Sequence, residues 1–313
     1  MPRSATSSTP TNLALSDTAA RQLANVSKST AQLDTITPRW LIKMLQWVPV
    51  EAGSYRLNRV KDSGVTTVAT SARDGAELPT THLGYYETPR EYFLDTVATV
   101  LDVPTRISDL YGSPFDQIAE QVRLTVETVK ERQETELLNN AGFGLLASVD
   151  ADQRFSTLTG PPTPDDLDEL ITRVWKEPAF FLAHPRAIAA FGRECTRRGV
   201  PPATVSIHGS QFITWRGLPI VPSDKVPVVG GRSKVLLLRV GEERQGVIGL
   251  YQPGLAGEHS PGLSVRHMGI SRDGVASYLI SLYCSLAVLT PDALAVLDDV
   301  EVDKFHDYSP KYR

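Results

Sequence analysis

The stretch DQIAEQVRLTVETVKERQETELLN, residues 116–139, is the longest helical pattern in a chain of 313 residues. Ile118, Val122, Val126 and Val129 recur at three- and four-residue spacing, which puts them on one face of a helix. The other faces carry Glu120, Arg123, Glu127, Lys130, Glu131 and Glu134, with Arg123–Glu127 and Lys130–Glu134 in register for i,i+4 charge pairing. Ser113 and Pro114 supply a start signal, and Asn139, Asn140 and Gly142 supply a stop. At about 1.5 Å per residue the helix runs roughly 36 Å, long for a compact domain, and it predicts a spine on which other elements lie.

Upstream of the spine the chain has little core of its own. Residues 1–12 contain six Ser or Thr and no apolar run, which argues against a secretory signal. From Leu13 to Leu33 the anchors are sparse (Leu13, Leu15, Leu23, Val26, Leu33), so this segment reads as an extended arm that needs a surface to lie on. Thr37 and Pro38 predict the cap and first turn of a short helix carrying Trp40, Leu41, Met44, Leu45, Trp47 and Val48. A helix so rich in large apolar residues must be buried, against its own body or against a neighbour. Between Gly53 and Pro89, β-prone pieces at Ser54–Val60 and Val65–Thr70 precede the turn signal Arg73-Asp74-Gly75. This is a polar hairpin, marginal alone in water, with an edge open to another strand. Arg90–Val103 then reads as a strand returning to the body.

Beyond the spine, Thr163-Pro164-Asp165-Asp166 caps a helix whose apolar face is Leu167, Leu170, Ile171 and Val174. His184-Pro185 opens another that ends at Arg197-Arg198-Gly199. Strands are predicted at Phe212–Trp215, Leu218–Val221, Val235–Val240 and Val247–Tyr251. Val275–Leu289 alternates, with its even positions mostly apolar and Ser277, Ser281 and Ser285 opposite. Thr290-Pro291 is read as the cap of a closing helix through Leu297. The class is α+β, with no βαβ repeat.

Composition narrows the function. There are 32 basic against 36 acidic residues, a net charge of −4, which disfavours broad nucleic-acid binding. The longest nearly apolar run, Tyr278–Leu289, falls short of the roughly 18 to 20 residues that cross a bilayer, so the chain reads as soluble and cytoplasmic. Cys195 and Cys284 are too few for a disulfide framework and have no metal-ligand spacing. The six histidines form no HxxxH pair, and neither GxGxxG nor a P-loop occurs. His208-Gly209-Ser210 lacks the context of a nucleophile elbow. Asp165, Asp166, Asp168 and Glu169 lie where a helix dipole favours acids. No catalytic constellation emerges, and neither a catalytic, a cofactor-binding nor a metal-ligating residue is assigned. The uncovered arm and hairpin point instead to a protein that assembles with copies of itself.

The order of arm, extended loop, spine, second domain and returning strand resembles the HK97-type phage-capsid fold. In wording the chain resembles the shell proteins of family 2A encapsulins. The resembling segments are RQLAN at 21–25, TITPRWL at 35–41, WVPVEAG at 47–53, SDLY at 108–111 and the spine at 116–134. They continue with PTPDDLD at 162–168, QFITWRG at 211–217, PSDKVP at 222–227, GEERQG at 241–246 and SLAVLT at 285–290.

The resemblance implies an N-terminal arm at 1–48, an E-loop at 49–95, a P-domain begun at 96–147 around the spine, and an A-domain at 148–258. Residues 259–313 would complete the P-domain with a returning strand and helix, followed by a tail. It also implies an icosahedral nanocompartment closed by about sixty copies. That compartment would enclose a cysteine desulfurase of sulfur metabolism, targeted to the interior by its own disordered N-terminal segment. The pyridoxal phosphate would belong to that cargo, leaving no cofactor, nucleic acid or transmembrane segment to this chain. Trp40, Trp47, Tyr55 and Leu57 are the candidate assembly residues, because large apolar side chains dominate interfaces. The alternatives are a phage-type capsid subunit and a soluble α+β enzyme.

Overall fold

The computed structural model describes residues 32–58, 60, 80, 83–104 and 116–305. The arm before residue 32, the β-prone piece at 65–70, the turn at 73–75 and the start signal at 113–114 lie outside the described residues.

In chain order the elements are helix α1 (Trp40–Met44) and strands β1 (Trp47–Pro49), β2 (Ser54–Leu57), β3 (Arg90–Phe93) and β4 (Asp95–Pro104). The spine α2 (Gln117–Asn139), α3 (Leu145–Ser148), β5 (Arg154–Ser156), α4 (Pro164–Arg173), β6 (Phe180–Ala183) and α5 (Pro185–Arg198) follow. The remainder is strands: β7 (Ala203–Ile207), β8 (Ser210–Trp215), β9 (Leu218–Pro222), β10 (Arg232–Leu238), β11 (Val247–Tyr251), β12 (Glu258–Ser260), β13 (Leu263–Ile270), β14 (Val275–Val288) and β15 (Leu294–Glu301).

The spine starts within one residue of the sequence reading, and its cap is Asp116, whose side chain accepts from the Ala119 amide at 2.9 Å. Its Val126 and Val129 pack on Ile280, Leu282 and Cys284 of β14. Both capping readings in the second unit hold. Thr163 and Asp166 form a reciprocal capping box, and Gly199 closes α5 at φ 71°, where a Cβ would be strained.

Strand β14 organises the first sheet. One edge pairs with β4 from 275 to 284, and the other pairs with β13 from 276 to 282 and then with β11 from 284 to 288. Its even positions face the spine and α1 as expected. The odd face is also covered: Ala287 and Leu289 pack with Tyr92, Ile248 and Leu250 under the root of the β2–β3 hairpin, and Ser285 is fully buried.

The second sheet runs β5-β15-β10-β6-β9-β8-β7. It divides two cores, and adjacent residues go to opposite sides. Leu294 and Val296 join Leu236, Leu238, Phe180, Leu137 and Leu286 in a core shared with the spine and β14. Ala295 and Leu297 join Val235 and Leu237, with Phe181, Leu170 and Phe191, under helices α4 and α5.

Three expectations are corrected. The closing helix is a 3-10 turn at Pro291–Ala293 followed by strand β15, which sits inside the second sheet rather than beside the spine. The described part of the span expected to complete the P-domain is therefore split, with β12, β13 and β14 in the first sheet and β15 in the second. A strand covered on both faces is apolar at consecutive positions, which periodicity alone cannot tell from a helix. The short helix at Trp40 is not capped by Thr37: Arg39 holds the cap position at φ 49°, and the helix ends at Met44, so Trp47 and Val48 belong to β1. Arg90–Val103 is two strands, broken at Leu94, whose amide turns to the Gly53 carbonyl at 3.2 Å.

β1 lies parallel to β11 with Trp47 beside Gly249. A Cβ on Gly249 would stand 2.6 Å from the Trp47 ring. Gly249→Ala should therefore destabilise the chain by about 1–3 kcal/mol through overpacking, read by urea denaturation; an unchanged midpoint would mean that Trp47 is not seated there.

Candidate assembly surfaces

Two features join the N-terminal segment and the hairpin to the body, and both begin with polar groups that need partners. The first is Glu131 on the spine. Its carboxylate accepts from the Thr37 amide at 2.7 Å and the Thr37 hydroxyl at 2.9 Å. It also meets Arg39 Nη1 at 3.3 Å and Lys225 Nζ at 2.9 Å. Arg39 continues to Glu127 at 2.5 Å. One carboxylate thus ties the N-terminal segment, the spine and the loop after β9. Anions accepting several charged or amide donors make stronger bonds than neutral pairs do.

The spine pairings read from spacing are rearranged accordingly. Arg123 bonds Glu120 at 2.6 Å, and Glu127 takes a partner from the N-terminal segment. Lys130 does not hold Glu134, which is buried and accepts from the Ser223 hydroxyl at 2.8 Å. Long-range contacts of this kind leave no trace in i,i+4 spacing; the only signal was an acid density higher than one helix needs.

The second feature is the hairpin root. β2 and β3 pair antiparallel, and Arg56 meets Glu91 across them at 2.8 Å. Tyr92 is buried and donates to the Val288 carbonyl at 2.5 Å. Tyr55 donates to Glu242 at 2.8 Å; its partial burial and that bond push the phenol up to about 12. Outward, the same segment exposes Val60, Leu83, Tyr85, Tyr86 and Phe93. Among the described residues β2 and β3 have no third strand, so this sheet presents open edges beside exposed aromatics.

The four candidates separate. Trp40 is 7% exposed and stands edge-on to Phe212, 5.0 Å between ring centres. It packs into the core of its own chain. Trp47 is half-buried in the chain's own body, its indole N–H donating to the Ile42 carbonyl at 3.0 Å. Tyr55 and Leu57 are half-buried at the hairpin root. The exposed aromatics some 30 residues further on were missed: Tyr85 and Tyr86 fell outside the β-prone pieces read from the sequence, and Phe93 read as an ordinary strand residue while its pairing was unknown.

The rest of the site chemistry is structural. Burial pushes the Cys195 thiol up to about 11 and the Cys284 thiol up to about 12, which keeps both protonated and unreactive at neutral pH. His208 and Gly209, at φ 50° and 77°, form the turn of the β7–β8 hairpin. Asp168 accepts from Trp215 Nε1 at 2.7 Å and from Arg216 at 2.8 Å, and Glu169 pairs with Arg173 at 3.0 Å. Among the described residues no group of three or more His, Cys, Asp or Glu is placed to hold a metal ion, and no helix is long and apolar enough to cross a membrane.

Residues 53–304 match the family described as type 2A encapsulin shell protein SrpI-like. This chain belongs to that family of encapsulin shell proteins. It is similar to the type 2A encapsulin shell protein SrpI of Synechococcus elongatus, with 67% identity over 296 residues, 95% of this chain and 97% of the relative. It superposes on the shell of the holo-SrpI encapsulin complex from that organism with a TM-score of 0.82 at 64% identity, covering 95% of this chain and 99% of the other. The capsid of the native GTA particle shares the fold alone, with a TM-score of 0.62 at 13% identity over 88% and 94% of the two chains. The encapsulin shell protein thus has the HK97-type α+β capsid fold, and its sequence sides with encapsulins rather than with capsids.

In this shell subunit Glu131→Ala removes the acceptor shared by Thr37, Arg39 and Lys225. The expected loss is about 2–3 kcal/mol of stability, with faster proteolysis around residues 32–39. A loss under about 0.5 kcal/mol would show the cluster to be no more than a solvated surface contact.

Proposed function

We propose that this encapsulin shell protein closes, in about sixty copies, an icosahedral compartment in the cytoplasm that encloses a cysteine desulfurase and serves sulfur metabolism. The observation that carries the assembly part is the β2–β3 pair, which among the described residues has no third strand, with Tyr85, Tyr86 and Phe93 exposed, on a chain whose relatives are shell proteins. Aromatic side chains bring large contact area at low entropic cost, so an exposed cluster beside a free strand edge favours strand addition by a neighbour.

In this reading the N-terminal arm (1–48) and the E-loop (49–95) engage adjacent subunits, Trp47, Tyr55 and Leu57 lie at the roots of those extensions, and the chain itself has no catalytic role and no cofactor. The names P-domain and A-domain fall to the β14 sheet with the spine and to the second sheet, β15 included. The cargo would bring its own pyridoxal phosphate and would be retained through its disordered N-terminal segment. Support for the cargo is the family relationship; support for a wall rather than an enzyme is that the acids and thiols described above are taken up by structural partners or by burial.

Purified chain should elute far above the 34.2 kDa of a monomer and show uniform particles by negative stain. A monodisperse monomer would defeat the shell reading. Deleting residues 1–33 should leave a soluble body and impair closure; intact, equally stable particles would remove the arm from the assembly mechanism. Co-expression with a cysteine desulfurase carrying its N-terminal segment should yield filled particles, and empty ones would dismiss that cargo.

A further inference from the structure

Glu134 is the buried acid whose position the assembly reading does not use. Its side chain is 1% exposed; Oε1 accepts from the Ser223 hydroxyl at 2.8 Å, and among the described residues Oε2 has no hydrogen-bond partner. It stands one helical turn from Glu131, where the spine meets the 223–226 loop of the second sheet. From the spine Glu131 faces it, and from the loop Asp224 and Lys225 do. Beyond these, Arg39 of the N-terminal segment binds Glu131 and Glu127, and His184 lies within the field of Asp224.

The cations at this joint are already engaged. Lys225 sits on Glu131 at 2.9 Å and on Asp224 at 2.7 Å, and Arg39 sits on Glu131 and Glu127. Three carboxylates (Glu127, Glu131, Asp224) therefore engage Arg39 and Lys225, with Arg123 also within the field of Glu127. A charge on Glu134 would be a fourth carboxylate, with one oxygen buried where no donor meets it. Unpaired buried charge is costly, and a neutral carboxyl escapes that cost.

We propose that Glu134 is a proton-dependent pin between the spine and the second sheet: the protonated carboxyl lets the 223–226 loop close on the spine, and loss of its proton to solvent loosens that joint. Burial pushes this carboxyl up to about 7, against the lowering by Ser223 and Lys225. The native chain therefore holds the proton between the ordinary carboxylate value and about 7, where the unfolded chain has released it. The stabilisation is complete below the ordinary value and declines as pH rises through about 7. In a shell the two sheets must keep a fixed angle, so the joint would tune wall stiffness with pH; that consequence rests on the shell reading, whereas the pin itself rests on this chain alone.

Hydrogen exchange on the full chain, corrected for intrinsic rates, tests it at residues 223–229. Between about pH 5.5 and about pH 8.5, wild-type protection there should fall by about tenfold, while Glu134→Gln should stay flat. Protection independent of pH in the wild type, or the same fall in Glu134→Gln, would overturn the pin. Should Glu134→Gln fail to fold, Ser223→Ala serves: removing a donor to the ionised form should move the transition to higher pH, and an unmoved or lowered transition overturns the proposal. Particle imaging of the same samples reports separately on the shell reading, since the exchange result does not require particles.

Discussion

Strand β14 is the constraint on which the rest of the subunit depends. Fourteen residues bond to β4 along one edge and to β13 and β11 in succession along the other. The spine lies across its even face and the hairpin root across part of its odd face. Leu286 and Val288 then enter the core that also holds Leu236 and Leu294 of the second sheet. With both edges paired and both faces covered in its C-terminal half, β14 couples spine, N-terminal segment, hairpin and second sheet into one mechanical piece. A wall element needs that property, because strain imposed at one boundary must reach the others without local unfolding.

Polar chemistry does a second kind of work here. Glu131, Glu134 and Ser223 with Lys225 and Arg39 join three elements where apolar packing alone would leave their relative placement less defined. Arg239 acts similarly at the far end of β10: it is 2% exposed and donates to Thr290 at 2.7 Å and Asp292 at 2.9 Å. Burial opposes charge on Asp292, but the bonds from Arg239, Lys176 and Thr290 outweigh it and hold that carboxyl below the usual carboxylate range. These groups pin the turn that precedes β15, so their chemistry serves positioning.

Local signals were legible wherever the outcome depended on near neighbours in sequence. The spine boundaries, the Thr163–Asp166 capping box and the Gly199 stop all follow from residues within one or two turns. So did the even face of β14, whose alternation survives because the spine covers it. Signals failed where a distant partner decided. Thr37 looked like a cap but gives its amide and hydroxyl to Glu131, 94 positions away. Leu294–Leu297 looked helical because both faces of β15 are buried. The burial of Trp40 was legible but its partner was not, and the distant Phe212 meets its ring within the chain's own core.

By itself the sequence determined the class, the family, the spine and the lack of catalytic motifs, since those follow from composition, short-range periodicity and extended likeness of wording. Only the tertiary structure decided which sheet β15 enters, which aromatics stay exposed on the hairpin, and which acids meet at Glu131 and Glu134. Burial and pairing between residues far apart in the chain are properties of the folded arrangement, and no local pattern encodes them.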